Sequence, residues 1–328
     1  MKKNFFIFIF FLPFFLIEVF LYKFFKKKNS EFAYQYLIKV FILFGRKPLN
    51  FISYIISERI KNKSILKKQK KSEIVFQKLN KDGYYLENNF LTKKEISKIK
   101  KFIENVKGFY QSSQFSSKRS ENLNLRNIKG PRFQFDTNEI IKCKTIQSII
   151  SKKNILHIAK EYLQCEPILD YVACYWSFPN KKDDDGAAQA WHFDLDRPKW
   201  IKFFIYLTDC NINDGPHIFI RSSHLNLPYD IKRKGYKRID KQLIKKHYKK
   251  KDIITFLSNS GSLLIEDSIG IHKGLRVISG KRLMLSLQYS SSLFGSKSQK
   301  IQFPKNMSYN FKKFIRSNKT LFSNFTTS

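Results

Sequence analysis

From Phe5 to Tyr22 the chain is an almost unbroken apolar run, FFIFIFFLPFFLIEVFLY, with Lys2 and Lys3 before it and Lys23, Lys26, Lys27 and Lys28 after it. A helix of that length rises roughly 27 Å, near the lower limit for crossing a hydrocarbon core of about 30 Å. Pro13 and Glu18 interrupt it, and no small-residue cleavage site comes after it. The pattern predicts an uncleaved N-terminal membrane-anchor helix within residues 1–30. The flank after the run is the more basic, which directs the downstream chain to the cytoplasmic side. Residues 31–75 divide in two. Phe32 to Ile60 reads as one or two amphipathic helices, suited to the lipid interface or to packing on a globular domain, and Lys61 to Glu73 as a charged linker.

The globular pattern begins near residue 76. Asp82-Gly83-Tyr84-Tyr85 predicts a turn entering a strand, and Thr92 with Glu95 three residues later predicts a capped helix carrying Ile96, Ile99, Phe102 and Ile103. Another helix is expected over Ile155 to Leu163. Beyond it the period changes to short β-rich runs: Ile168 to Ser177, Trp200 to Leu207, His217 to Arg221, Gly261 to Glu266, Leu275 to Ile278 and Arg282 to Tyr289. Helices first and many short strands afterwards predict a mainly β domain with flanking helices, a double-stranded β-helix or jelly roll of cupin-like type. It is expected over residues 76–296, with a basic C-terminal tail over 297–328.

Composition narrows this. Apolar residues at 42% and aromatics at 16% exclude global disorder. The formal charge is +36, with 12 Arg against 50 Lys, and Phe, Ile and Asn are abundant. An AT-rich coding sequence imposes that mixture, so the basicity is no proof of an anionic partner, although it favours anionic lipid surfaces. The first 78 residues carry +13, so the excess runs along the whole chain. Cys143, Cys165, Cys174 and Cys210 form no CxxC pair and read as free buried thiols in a reducing compartment.

Candidate chemistry lies in the strand-rich half. His192 and Asp194 are two apart, so on an extended chain both side chains reach one face. His272 comes 78 residues after Asp194. Two imidazoles and a carboxylate leave open positions on a metal, the donor set of non-heme Fe(II) oxygenases. Arg282, ten residues past His272, suits the distal carboxylate of a 2-oxo acid. Asp183-Asp184-Asp185-Gly186 reads either as a mobile loop at the mouth or as a solvated turn. His157, His217, His224 and His247 fit poorly as ligands. An insertion from Lys232 to Lys251 holds 11 basic residues in 20, but with only Tyr236 and Tyr248 it offers no stacking platform, which argues against nucleic acid.

Three runs resemble the phytanoyl-CoA dioxygenase-like family of Fe(II)- and 2-oxoglutarate-dependent oxygenases: Gln189 to Asp194 with the strand Lys202 to Asp209; Asn213 to Pro216 leading to Arg221-Ser222-Ser223-His224; and Asp267 to Gly274 with Arg282 and Tyr289. The resemblance covers about residues 76 to 296. It implies that His192, Asp194 and His272 bind Fe(II), that Arg282 binds 2-oxoglutarate, that Tyr206 and Tyr175 line the co-substrate pocket, and that O2 is the oxidant. Ser222 stands where the family usually has Gly. Related halogenases replace the metal-binding carboxylate with a small residue, so Asp194 points to hydroxylation.

The function expected is hydroxylation of an unactivated carbon in a small or lipid-linked substrate at an anionic membrane surface, releasing succinate and CO2. An oxygenase acting on nucleic acid or protein, and a non-catalytic jelly-roll binding module at the membrane, are the competing readings. Neither the substrate nor the oligomeric state is legible in the chain.

Overall fold

The computed structural model describes residues 2–60, 70–114, 120–235, 237–305 and 307–327; most of the expected Lys61–Glu73 linker and Tyr236 lie outside them. The chain opens with α1 (Lys2–Phe25), α2 (Glu31–Phe44) and α3 (Arg46–Ile56). α4 (Lys70–Asp82) enters β1 (Tyr84–Glu87), and α5 (Lys93–Ile103) leads to β2 (Gly108–Gln111) and β3 (Arg132–Phe135). Three helices come next, α6 (Thr137–Ile140), α7 (Lys144–Ile150) and α8 (Lys153–Leu163). The strand-rich half holds β4 (Ile168–Ser177), β5 (Trp200–Tyr206), β6 (His217–Ile220), β7 (Ile253–Phe256), β8 (Leu263–Glu266), β9 (His272–Gly274) and β10 (Arg282–Ser290), with α9 (Tyr229–Lys232) and α10 (Lys241–His247) between β6 and β7. β11 (Ile301–Gln302), α11 (Tyr309–Ser317) and β12 (Phe325–Thr326) come last.

Seven strands form one antiparallel sheet in the order β1-β8-β5-β10-β4-β3-β2, and β7-β6-β9 form a second. The two sheets close on each other through Tyr175, Phe204, Tyr206, Phe219, Phe256 and Met284, the arrangement of a jelly-roll type domain. Alternation on the large sheet explains its two faces. Ile201, Phe203, Ile205, Leu283, Leu285 and Leu287 are buried against α5, α7 and α8, while the odd ones out, Lys202, Ser286 and Gln288, face inward. The capping box expected at Thr92 is present: Thr92 Oγ1 accepts from Glu95 N at 3.2 Å, and Glu95 Oε2 accepts from Thr92 N at 2.8 Å.

Two expectations need correction. Leu275–Ile278 is not a strand; Leu275 N and Ile278 N donate instead to Pro216 O and Asn213 O, and the strand sits earlier, at β9, where β6 offers a partner edge. Residues 297–328 are not a tail outside the domain. Their apolar residues Ile301, Phe311, Leu321, Phe322 and Phe325 enter the main core, and β11 pairs with β12 in parallel. Of the two placements open to Phe32–Ile60, the structure has packing on the domain: α2 and α3 share a core with Trp191, Phe193, Trp200, Ile269 and Ile271.

α1 is long and apolar enough to cross a membrane by length and composition. Along one side it is fastened to the domain. Phe15 stacks on Tyr36 at 4.6 Å, Tyr36 donates its hydroxyl to Phe8 O at 2.8 Å, and Tyr22 Oη accepts from Leu293 N at 2.6 Å. Phe10, Phe14, Ile17, Phe20, Phe24 and Phe25 on its other side are exposed.

Candidate active site

His192 and Asp194 lie on an extended segment that meets β9 edge to edge. His192 N donates to His272 O at 3.1 Å, His272 N donates to His192 O at 2.8 Å, and Asp194 N donates to Ser268 O at 2.8 Å. That short ladder sets the two imidazoles 4.3 Å apart, centroid to centroid. Each ring is fixed in the same way, its Nδ1 bonded to the carbonyl two residues before it: Ala190 O at 2.8 Å for His192 and Gly270 O at 2.9 Å for His272. With the proton held on Nδ1, both Nε2 lone pairs turn toward Asp194, whose oxygens lie 4.0 Å from His192 Nε2 and 3.7 Å from His272 Nε2. Donor atoms of the three all fall within 4.8 Å of one another, a spacing one ion satisfies.

Electrostatics prepare the same set. Burial lowers the pKa of both imidazoles, so both are neutral near pH 7 and free to donate lone pairs. Burial alone would raise the Asp194 carboxyl, but Lys202, 2.5 Å away, and the two imidazoles outweigh it and hold it well below the usual range. The sequence missed Lys202: a single charge in the apolar run Trp200–Tyr206 was the available signal. It also missed the buried pair of His217 and Glu266, 2.7 Å apart beside His272. Burial pushes Glu266 up to about 7 and His217 down to about 3.

Arg282, Ser177 and Arg132 lie in one row across β10, β4 and β3, so their side chains share the inner face. Arg282 donates to Gly215 O and, from Nη2 at 3.4 Å, to Ser177 Oγ, while its Nε is buried without a partner. A buried guanidinium N–H left unused is the feature a bound carboxylate satisfies. Arg132 stacks on the Tyr175 ring at 3.7 Å. Tyr175 lines the cavity; Tyr206 is wholly buried in the core beside it, its hydroxyl 3.5 Å from Phe256 O.

The cavity that joins these groups measures about 370 Å³ and continues from the imidazoles past Lys202 to Asp170, Gln288 and Ser298. Its mouth is held, not loose. Asp184 accepts from Ser112 Oγ at 2.6 Å and from Ser113 N at 2.8 Å, and Asp183 pairs with Lys241 and Lys273, so the acidic run is an anchored turn. Ser222 keeps the backbone that glycine favours, with φ 61°, and its hydroxyl donates to Lys81 O at 2.8 Å.

The model of the phytanoyl-CoA dioxygenase (PhyH) family matches residues 79–284. No curated protein matches. Among solved structures, the non-heme alpha ketoglutarate dependent epimerase SnoN from nogalamycin biosynthesis superposes with a TM-score of 0.50 at 16% identity, covering 67% of this chain and 83% of that one. SnoN in complex with Fe3+, alpha ketoglutarate and nogalamycin RO gives 0.50 at 14%, over 67% and 84%. HygX from Streptomyces hygroscopicus with nickel, 2-oxoglutarate and hygromycin B gives 0.49 at 11%, over 74% and 96%. At such identities the likeness to the two SnoN structures is one of fold.

Proposed function

The chain belongs to the phytanoyl-CoA dioxygenase family, and from that premise we propose that it hydroxylates an unactivated carbon of a small or lipid-linked substrate. It is a 2-oxoglutarate-dependent oxygenase-type enzyme that uses iron. In the proposed assignment His192, Asp194 and His272 hold Fe(II), and Arg282 takes the distal carboxylate of 2-oxoglutarate. The observation that carries this reading is the matched tethering of His192 and His272, which leaves two neutral Nε2 atoms and one carboxylate converging in a buried cavity.

Iron bound there supplies oxidation by O2 coupled to decarboxylation of 2-oxoglutarate, giving succinate and CO2. The chain's own residues do the rest. Lys202 neutralises the second oxygen of Asp194 and steers it. Arg132 and Arg282 flank Ser177 and make that end of the cavity cationic, suited to a dicarboxylate. The opposite end, past Lys202, takes the substrate and is polar. Asp194 itself supports hydroxylation over halogenation, since it leaves no vacancy for chloride.

The proposed location is the cytoplasmic face of a membrane, where 2-oxoglutarate and Fe(II) are available. Contacts along the length of α1 support a helix lying in the interface rather than across it, with Phe10, Phe14, Phe20 and Phe24 toward lipid and Phe51 and Tyr54 of α3 beside them. In this assignment the helices of residues 31–56 and the segment 297–328 form one unit with 76–296.

The test is anaerobic reconstitution of the full chain with Fe(II) and 2-oxoglutarate, then admission of O2. Slow succinate release is expected without substrate, and lipid extracts should contain a species that gains one oxygen atom. Absence of both iron binding and succinate would refute the oxygenase assignment.

A further inference from the structure

A second cavity, of about 540 Å³, adjoins the first. Its walls are the C-terminal end of α1, the end of α3, and the segment 293–300. Ser296, Lys297 and Ser298 line both cavities, so the two are neighbours across one stretch of chain. Four lysines contribute to the second: Lys26, Lys28, Lys297 and Lys300. Its one acid, Glu58, is taken by Lys26 at 2.5 Å. Among the described residues, none of the acids pairs with Lys28, Lys297 or Lys300.

This chain is rich in lysine throughout, so the arrangement carries the argument and the number does not. Lys300 donates to Ser323 O at 3.3 Å, and burial first, then the charge of Lys28, lowers its pKa. An anion bound in the cleft favours the charged form of both. The walls are built to stay in place: Asn29 Nδ2 donates to Gly295 O at 2.9 Å, and Gly295 N donates back to Asn29 Oδ1 at 2.9 Å. Ser296 O in turn accepts from Arg197 Nη1 at 2.5 Å, and Arg197 Nε donates to Asp170 Oδ2 at 2.8 Å.

Beyond that shared stretch the first cavity is polar. Asp170, Gln288, Ser286 and Lys202 line it, and Asp170 Oδ1 is buried without a partner. Such a lining suits hydroxyl-bearing groups and repels an acyl chain. The exposed apolar residues Phe20, Phe24 and Phe25 stand on the same end of α1 that supplies Lys26 and Lys28, with Phe51 and Tyr54 on neighbouring α3.

We infer that the second cavity binds the phosphate of an anionic lipid headgroup, while the hydroxylated part of that headgroup reaches His192, Asp194 and His272 and the acyl chains stay in the bilayer. The inference rests on the hydroxylase assignment for what happens in the first cavity. It names the substrate class: a phosphorylated, polyhydroxyl headgroup presented from a membrane.

The test uses the full chain with vesicles of phosphatidylcholine alone or mixed with phosphatidic acid, and with glycerol 3-phosphate as the soluble probe. Lys28→Ser, Lys297→Ser and Lys300→Ser are combined in one variant. Lys93→Ser, Lys94→Ser and Lys98→Ser on α5, an equal change in charge, form the control. The cleft variant should lose roughly fivefold in affinity for phosphatidic acid vesicles per lysine removed, and the control far less. Equal losses overturn the site. Vesicles that carry phosphatidylinositol, whose headgroup has both a phosphate and hydroxyl-bearing carbons, should also raise succinate release where glycerol 3-phosphate does not; stimulation by glycerol 3-phosphate without vesicles overturns the lipid source. Absence of succinate under every condition counts against the oxygenase assignment alone, because vesicle binding is read without turnover.

Discussion

Arg46, at the start of α3, forms a buried ion pair with Asp267, five residues before His272, and Arg46 Nη2 also donates to Tyr162 Oη at 2.7 Å. Burial disfavours the guanidinium, but Asp267 and Tyr162 outweigh it and raise its pKa above the ordinary value. The N-terminal helices are thus clamped to the loop that carries a candidate ligand. Arg46→Met should cost about 3–5 kcal/mol in chemical denaturation, because it strands a buried carboxylate. The double variant Arg46→Met with Asp267→Leu should lose less than the single one. A single variant as stable as the parent would show that the clamp contributes nothing.

Arg282→Leu should weaken 2-oxoglutarate binding by two orders of magnitude or more, roughly the loss of a charge-assisted bidentate partner. Iron binding should persist, since Arg282 touches none of the three donors. Calorimetric titration of both ligands separates the outcomes, and unchanged 2-oxoglutarate affinity would move the co-substrate elsewhere in the cavity.

Asp194→Ala should weaken iron binding and abolish or cripple hydroxylation through loss of a metal ligand. Lys202→Met acts more gently: it frees the second oxygen of Asp194 and should lower iron affinity by about 10- to 100-fold, the range for partners that orient a metal ligand. Metal titration monitored by fluorescence measures it. Wild-type affinity in Lys202→Met would reduce the 2.5 Å contact to packing.

His224 supplies a pH test away from the iron donors. Burial lowers its pKa below the usual 6.5, so between the folded and unfolded values the unfolded chain binds the extra proton. Its contribution is therefore intact above about pH 6.5 and is lost as pH falls below it. Relative to His224→Gln, wild-type stability should drop as pH falls from roughly 7.5 to 5.5. Parallel curves for the two proteins would contradict this.

Local signals make much of the molecule legible in its sequence. The HxD pair, the distant His272 and Arg282 are visible because the proposed metal and carboxylate chemistry demands those residue types, β4 and β5 because β-branched and aromatic content marks central strands, and β10 because its apolar residues alternate. Features set by distant pairing are not. Arg132 joins the Arg282 row only through β4, and Asp170 reaches the cavity only beside the irregularity where β10 slips against β4 after Gln288. The docking of residues 31–56 is undecided in sequence because an amphipathic helix presents the same face to lipid and to protein. Segment 297–328 reads as a tail because its lysines mask five core residues.

The ladder between His192 and His272 also orders the protein's maturation. Its two edges are eighty residues apart in the chain, and β1, which flanks β8, pairs residue 84 with residue 266. Contacts of such separation form late in folding. The candidate donors converge through backbone bonds and carbonyl tethers, so in the proposed assignment iron would enter a cradle that the chain itself holds. Chelation should then return an inactive but folded protein that recovers on adding Fe(II), without passing again through the slow closure of the sheets.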